Sequence, residues 1–96
     1  MKRAYELTFI VRVDPNEEVI RDAINQVKDW VEENDMGTVN KIDHWGRRRL
    51  AYELDKQREG YYVLMDIDID TDHLPELEYN LKLSSSVLRY LVVRPD

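Results

Sequence analysis

The run Trp45-Gly46-Arg47-Arg48-Arg49-Leu50-Ala51-Tyr52 holds the residues best equipped for chemistry with a charged ligand. Guanidinium groups meet phosphate oxygens as two-pronged donors and stack on bases, and Trp45 and Tyr52 place aromatic planes beside them. On an extended strand Arg47 and Arg49 share one face while Arg48 takes the other. The same residues equally suit an edge strand that uses charge to block aggregation, with Tyr52 in the core.

Other chemistries find little support. The two histidines, His44 and His73, fall in different elements with no thiolate and no paired spacing, so no metal site is expected and both should be surface or half-buried side chains. Asp66, Asp68 and Asp70 alternate with Ile67 and Ile69 but lack the glycine and distal glutamate of a calcium loop, which leaves them as a wet strand face. Ser84-Ser85-Ser86 has no nucleophile elbow around it, and no glycine-rich phosphate loop occurs. The turn Val13-Asp14-Pro15-Asn16-Glu17-Glu18 carries three carboxylates and no glycine, so it would repel the phosphate that an acylphosphatase-type site must cradle. No enzyme activity, cofactor or small-molecule substrate is expected.

The elements that must position the arginines follow from periodicity. Tyr5 to Arg12 alternates, with Tyr5, Leu7, Phe9 and Val11 on one face, which predicts a first strand. Asp14 as N-cap, Pro15 at the first helical position and Glu17 closing a capping box predict a helix carrying Ile20, Ala23, Ile24, Val27, Trp30 and Val31, stopped by Gly37. Val39 to about Tyr52 reads as a second strand with a bulge at Trp45-Gly46, and residues 56–60 as a turn. Tyr61 to Ile69 is a third strand. Asp72 with Pro75 opens a shorter helix bearing Leu74, Leu77 and Leu81, and Val87 to Arg94 closes the chain as a strand. The order β-α-β-β-α-β predicts an α+β fold, a ferredoxin-like split βαβ sandwich with two helices on one face of a four-stranded antiparallel sheet. One domain over residues 1–96 is expected, because no linker, repeat or low-complexity segment divides the sequence.

Charge is distributed unevenly. The chain carries a net −6, which opposes binding to a polyanion. Yet Lys41 to Arg58 holds six basic residues against three acidic, and Asp66 to Glu78 holds six acidic and no Lys or Arg. With a Debye length of about 8 Å a ligand feels only the local field, so a basic edge on an acidic body can still hold RNA. The absence of cysteine suits a reducing cytoplasm, and no apolar run reaches the length of a membrane span.

The segment from Trp45 to Tyr52, followed by Lys56 and Gly60-Tyr61-Tyr62-Val63-Leu64-Met65, closely resembles the bacterial small-subunit ribosomal protein six family. The likeness runs from Tyr5-Glu6 in the first strand to Val87-Leu88-Arg89 and Val92-Val93-Arg94 in the last. Glu53 stands where that family usually has proline, and Ser84-Ser85 where it often has Asn-Asp. The resemblance implies a ribosomal role: binding the central domain of 16S rRNA together with small-subunit protein eighteen, a small basic partner. Arg3, Tyr5, Arg47, Arg48, Arg89 and Arg94 fall where the family has basic or aromatic residues, and Lys2 and Arg49 join them on local charge. A free RNA-recognition motif shares the element order, but Glu59, Tyr62 and Val63 break its signature around Gly60 and Tyr61. A module that binds only protein is the third reading.

Overall fold

A computed structural model describes residues 1–95. The strands are β1 (Lys2–Arg12), β2 (Gly37–Leu54), β3 (Gln57–Asp70) and β4 (Val87–Val93), with helices α1 (Glu17–Glu32) and α2 (Leu74–Leu83). All pairings are antiparallel, in the order β2-β3-β1-β4, so β1 lies between β3 and β4. Both helices cover one face of this sheet. The expected α+β split βαβ sandwich is the fold observed.

Alternation sets the core. Leu7, Phe9 and Val11 of β1 pair in register with Met65, Val63 and Tyr61 of β3 and share the helix-bearing face. Ile20, Ile24, Val27 and Val31 of α1 and Leu77 and Leu81 of α2 close over them. Each such fully buried aliphatic or phenyl side chain contributes about 1.5–3 kcal/mol.

The structure differs from the sequence expectation at four places, each for an identifiable physical reason. The N-cap is Asn16 rather than Asp14: the Asn16 side chain accepts from the Glu18 N–H at 3.0 Å. Asp14 instead accepts from the Asn16 N–H at 2.8 Å, a turn that leaves Pro15 outside the helix. Gly37 does not end α1. A tight turn over Glu33–Asp35, with Asn34 and Asp35 at positive φ (56° and 57°), ends it, and Gly37 opens β2 in a crowded site. A methyl there would lie 2.3 Å from the Val31 carbonyl oxygen and 3.1 Å from that of Asp68.

The hairpin between β2 and β3 turns at Asp55-Lys56, not over residues 56–60. Both residues take positive φ (48° and 63°), and Leu54 pairs with Gln57, the geometry of a two-residue primed turn. Gly60 therefore sits inside β3. His73, expected on the surface or half-buried, is 1 % exposed at the start of α2. Its Nε2–H donates to the Trp30 carbonyl at 2.9 Å, tying α2 to α1. Its Nδ1 lies 3.4 Å from a Glu76 carboxylate oxygen without the alignment of a hydrogen bond.

Candidate nucleic-acid interface

The sheet face turned away from the helices is open. Register places its residues in rows across the strands: Ala4 beside Asp68, Glu6 beside Asp66 and Val93, Thr8 beside Leu64 and Leu91, and Ile10 beside Tyr62 and Arg89. Arg12 and Arg48 flank Gly60 in the last row. Asp66 and Asp68 occupy this solvated face, as their alternation predicted. The face is therefore acidic across Glu6, Asp66 and Asp68 and basic toward the end of β1.

The basic end is built by β2. A register shift between His44 and Gly46 marks the expected bulge at Trp45, and Gly46 takes φ +83°, which a side chain rarely tolerates. The bulge lays the Trp45 indole over Tyr62, with ring centroids 6.5 Å apart and planes 13° from parallel. Trp45 remains 49 % exposed. Arg48 joins the two rings around a shallow recess. Across the face, an Arg89 Nη donates to the Tyr52 hydroxyl, linking β4 to the far arm of β2. Tyr52 is 60 % exposed, so it belongs to this surface and not to the core.

Arg12 and Arg48 differ in a way the sequence does not show. The Arg12 guanidinium is committed: it pairs with Asp55, and its Nε donates to the Ser85 carbonyl at 3.2 Å. Arg47, Arg48 and Arg49 form no ion pair among the described residues. Strand alternation sends Arg47 to the opposite side of β2, where it borders a groove against α1 together with Arg21, His44 and Tyr61.

The eight residues singled out from the sequence form two groups. Arg47, Arg48, Arg49 and Arg89 gather at the hairpin end. Lys2, Arg3, Tyr5 and Arg94 gather at the other, since Lys2 and Arg3 pair with Asp70 and Ile69, and Arg94 follows Val93, the partner of Glu6. Arg3 and Ile10, the residue paired with Arg89, lie seven positions apart on β1, or about 24 Å at the rise of an antiparallel strand. Tyr5 is half-buried against the core on the helix-bearing face. Sequence reasoning passed over Trp45–Tyr62 as a stacked unit and Arg21 as a neighbour of Arg47. Only the bulge and the helix packing bring these pairs together.

A free RNA-recognition motif needs aromatic platforms on adjacent central strands. Here the open-face positions of β1 are Ala4, Glu6, Thr8 and Ile10, so that platform is missing from its central strand.

Comparison with known proteins gives a consistent result. A sequence profile described as Ribosomal protein S6 matches residues 4–94. Small ribosomal subunit protein bS6 of Thermoanaerobacter pseudethanolicus is 43 % identical over 94 residues, covering 98 % of both chains. The protein of the same name from Carboxydothermus hydrogenoformans is 40 % identical over 96 residues, covering 100 % of this chain and 99 % of its own. The crystal structure of 30S ribosomal protein S6 from Thermotoga maritima superposes with a TM-score of 0.89 at 30 % identity, over 99 % of this chain and 89 % of that one.

Proposed function

Because this chain belongs to the ribosomal protein S6 family, and so is a structural component of the small ribosomal subunit with rRNA as its partner, we propose that it binds the central domain of 16S rRNA jointly with small-subunit protein eighteen. The observation that carries this reading is the hairpin end of the open face. There a stacked, half-exposed Trp45 stands beside Arg48, which no carboxylate neutralises among the described residues, and Arg89 stands across the sheet.

Arg47, Arg48, Arg49 and Arg89 supply up to four phosphate contacts, and the exposed indole offers a plane on which an unpaired base stacks. Stacking of this kind tolerates any base, so recognition rests on backbone position and RNA shape. Lys2, Arg3 and Arg94, at the far end, reach a separate RNA segment. Between the two ends the open face carries Glu6, Asp66 and Asp68, beside Leu91 and Val93, which are 61 % and 41 % exposed. A carboxylate stripe repels phosphate, and with apolar side chains along its β4 side it fits a basic protein surface. Protein eighteen docks there in this reading. The net −6 is then a property of the partner-facing body and not an obstacle to RNA binding.

Charge substitutions separate the two surfaces. Asp66→Lys should abolish co-purification with protein eighteen, whereas Arg48→Ala should leave that pairing intact and weaken retention of a central-domain 16S rRNA fragment. Loss of the pairing with protein eighteen in Arg48→Ala, or undiminished co-purification of Asp66→Lys with it, each with the fold preserved, would overturn this division of the surface.

A further inference from the structure

Of the groove between α1 and β2, the function proposed above draws only on Arg47 at its border, and the rest of the groove lies on the helix-bearing side, away from the open face. It encloses about 580 Å³, within the range of sites that hold a small ligand. Its floor is apolar: Ile20 and Ile24 of α1, Ile42 of β2 and the Tyr61 ring. His44 meets Tyr61 edge-on, with centroids 6.2 Å apart, and its Nδ1 lies 3.4 Å from the Tyr61 hydroxyl. Two guanidiniums border this floor, Arg21 from α1 and Arg47 from β2, and neither forms an ion pair among the described residues. Glu17 is the one carboxylate in the lining.

An apolar floor that includes the Tyr61 ring, bordered by two cations without ion pairs among the described residues, fits a ligand with a planar apolar body and an anionic group. A basic protein segment is excluded by the same two cations. Arg47 also connects the groove to the proposed RNA surface, because Arg48, its neighbour in sequence, lies on the other side of the same strand. The edge strand β2 thus carries arginine on both sides.

We propose that the groove receives one nucleotide extruded from the bound rRNA, its base lying on Ile42 and Tyr61 and its phosphate held between Arg21 and Arg47. This rests on the rRNA-binding reading above. It adds a site on the helix-bearing side and gives Arg21 a role in binding. The RNA then straddles the β2 edge, gripping Arg48 and Trp45 on one side and Arg21 and Arg47 on the other.

Isoleucine methyl NMR tests both readings at once. The six isoleucines include three in the groove floor (Ile20, Ile24 and Ile42), while Ile10 faces the open sheet. Methyl-labelled protein with protein eighteen is titrated with a central-domain 16S rRNA fragment. A stacked base should shift the Ile42 and Ile24 methyls by its ring current, and Arg21→Gln should remove those shifts. The same variant should bind RNA about fivefold more weakly at 0.15 M salt, the counterion-release contribution of one phosphate. Lys28→Gln, which removes the same charge from α1 away from the groove, should bind within twofold of the parent. Binding with no groove shift, or Arg21→Gln binding like the parent, overturns the groove site and leaves the open-face reading standing. Groove shifts caused by protein eighteen alone also overturn it. No binding and no shift at Ile10 overturns both.

Discussion

Arg12 and Arg48 flank Gly60 in one row of the open face, yet their surroundings predict opposite phenotypes. Arg48 is exposed and makes no ion pair among the described residues, so Arg48→Ala should change stability by no more than about 0.5 kcal/mol. It removes one phosphate contact, which at 0.15 M salt weakens RNA binding about fivefold and reduces the salt slope by roughly 0.7–0.9. Arg12 is half-buried, pairs with Asp55 across the hairpin turn and donates to the Ser85 carbonyl ahead of β4. A partly exposed ion pair gives about 0.2–1 kcal/mol and the hydrogen bond about 0.5–1.5, so Arg12→Ala should cost about 1–2 kcal/mol. In a domain of this size that lowers the melting temperature by roughly 5–15 °C. RNA affinity of the folded Arg12→Ala protein should stay within twofold. Thermal melting by circular dichroism and fluorescence-anisotropy titration on the same preparations read both quantities. An Arg12→Ala protein that melts like the parent but loses RNA affinity as Arg48→Ala does would refute these opposite roles.

Three further outcomes follow from particular contacts. Gly37→Ala forces a methyl against two backbone carbonyls that cannot rotate away, and should cost about 2–3 kcal/mol, or roughly 10–20 °C in melting temperature. Trp45→Ala should weaken RNA binding by about 1–2 kcal/mol through the lost stacking plane, measured by the same titration. The Asp70 carboxylate accepts the Asp72 N–H at 2.9 Å and lies 3.3 Å from the terminal ammonium, and these hold its pKa below the usual 3.8. A depressed folded-state pKa gives stability that is present above 3.8 and lost as pH falls through the folded value. Asp70→Asn should therefore flatten that acid limb in urea titrations below about pH 4, while leaving its shape at neutral pH unchanged.

Much of this architecture could be read from alternation. Leu7, Phe9 and Val11, and the helical spacing of Ile20, Ile24, Val27 and Val31, put the core where it is found. The bulge at Trp45-Gly46 was also legible, because glycine within a strand of otherwise regular residues marks a break in register. What failed were features decided by tertiary contact. The turn at Asp55-Lys56 contains no glycine to announce its two positive φ angles, so the charged stretch through Gly60 looked like the turn. Gly37 has the composition of a helix stop but is required by the close approach of two carbonyls. His73 is buried because α2 packs its first turn on the Trp30 carbonyl, a partner 43 residues away.

The candidate site was legible as residue types and not as an arrangement. Three consecutive arginines predicted that Arg48 would oppose Arg47 and Arg49, and pairing with β3 follows that alternation. That Lys2, Arg3 and Arg94 lie at the opposite end of the sheet from Arg48 and Arg89 depends on strand order and register, which spacing along the chain does not encode. The commitment of Arg12 to Asp55 depends on the hairpin turn, and so was equally hidden.

Joint binding of rRNA with protein eighteen is read out by titrating a central-domain 16S rRNA fragment with this chain in the absence and presence of purified protein eighteen. Weak binding alone and binding tighter by at least an order of magnitude with the partner is the predicted result, corresponding to a coupling of about 1.4 kcal/mol or more. Equal affinity in the two titrations, or no binding by the folded protein in either, would contradict it.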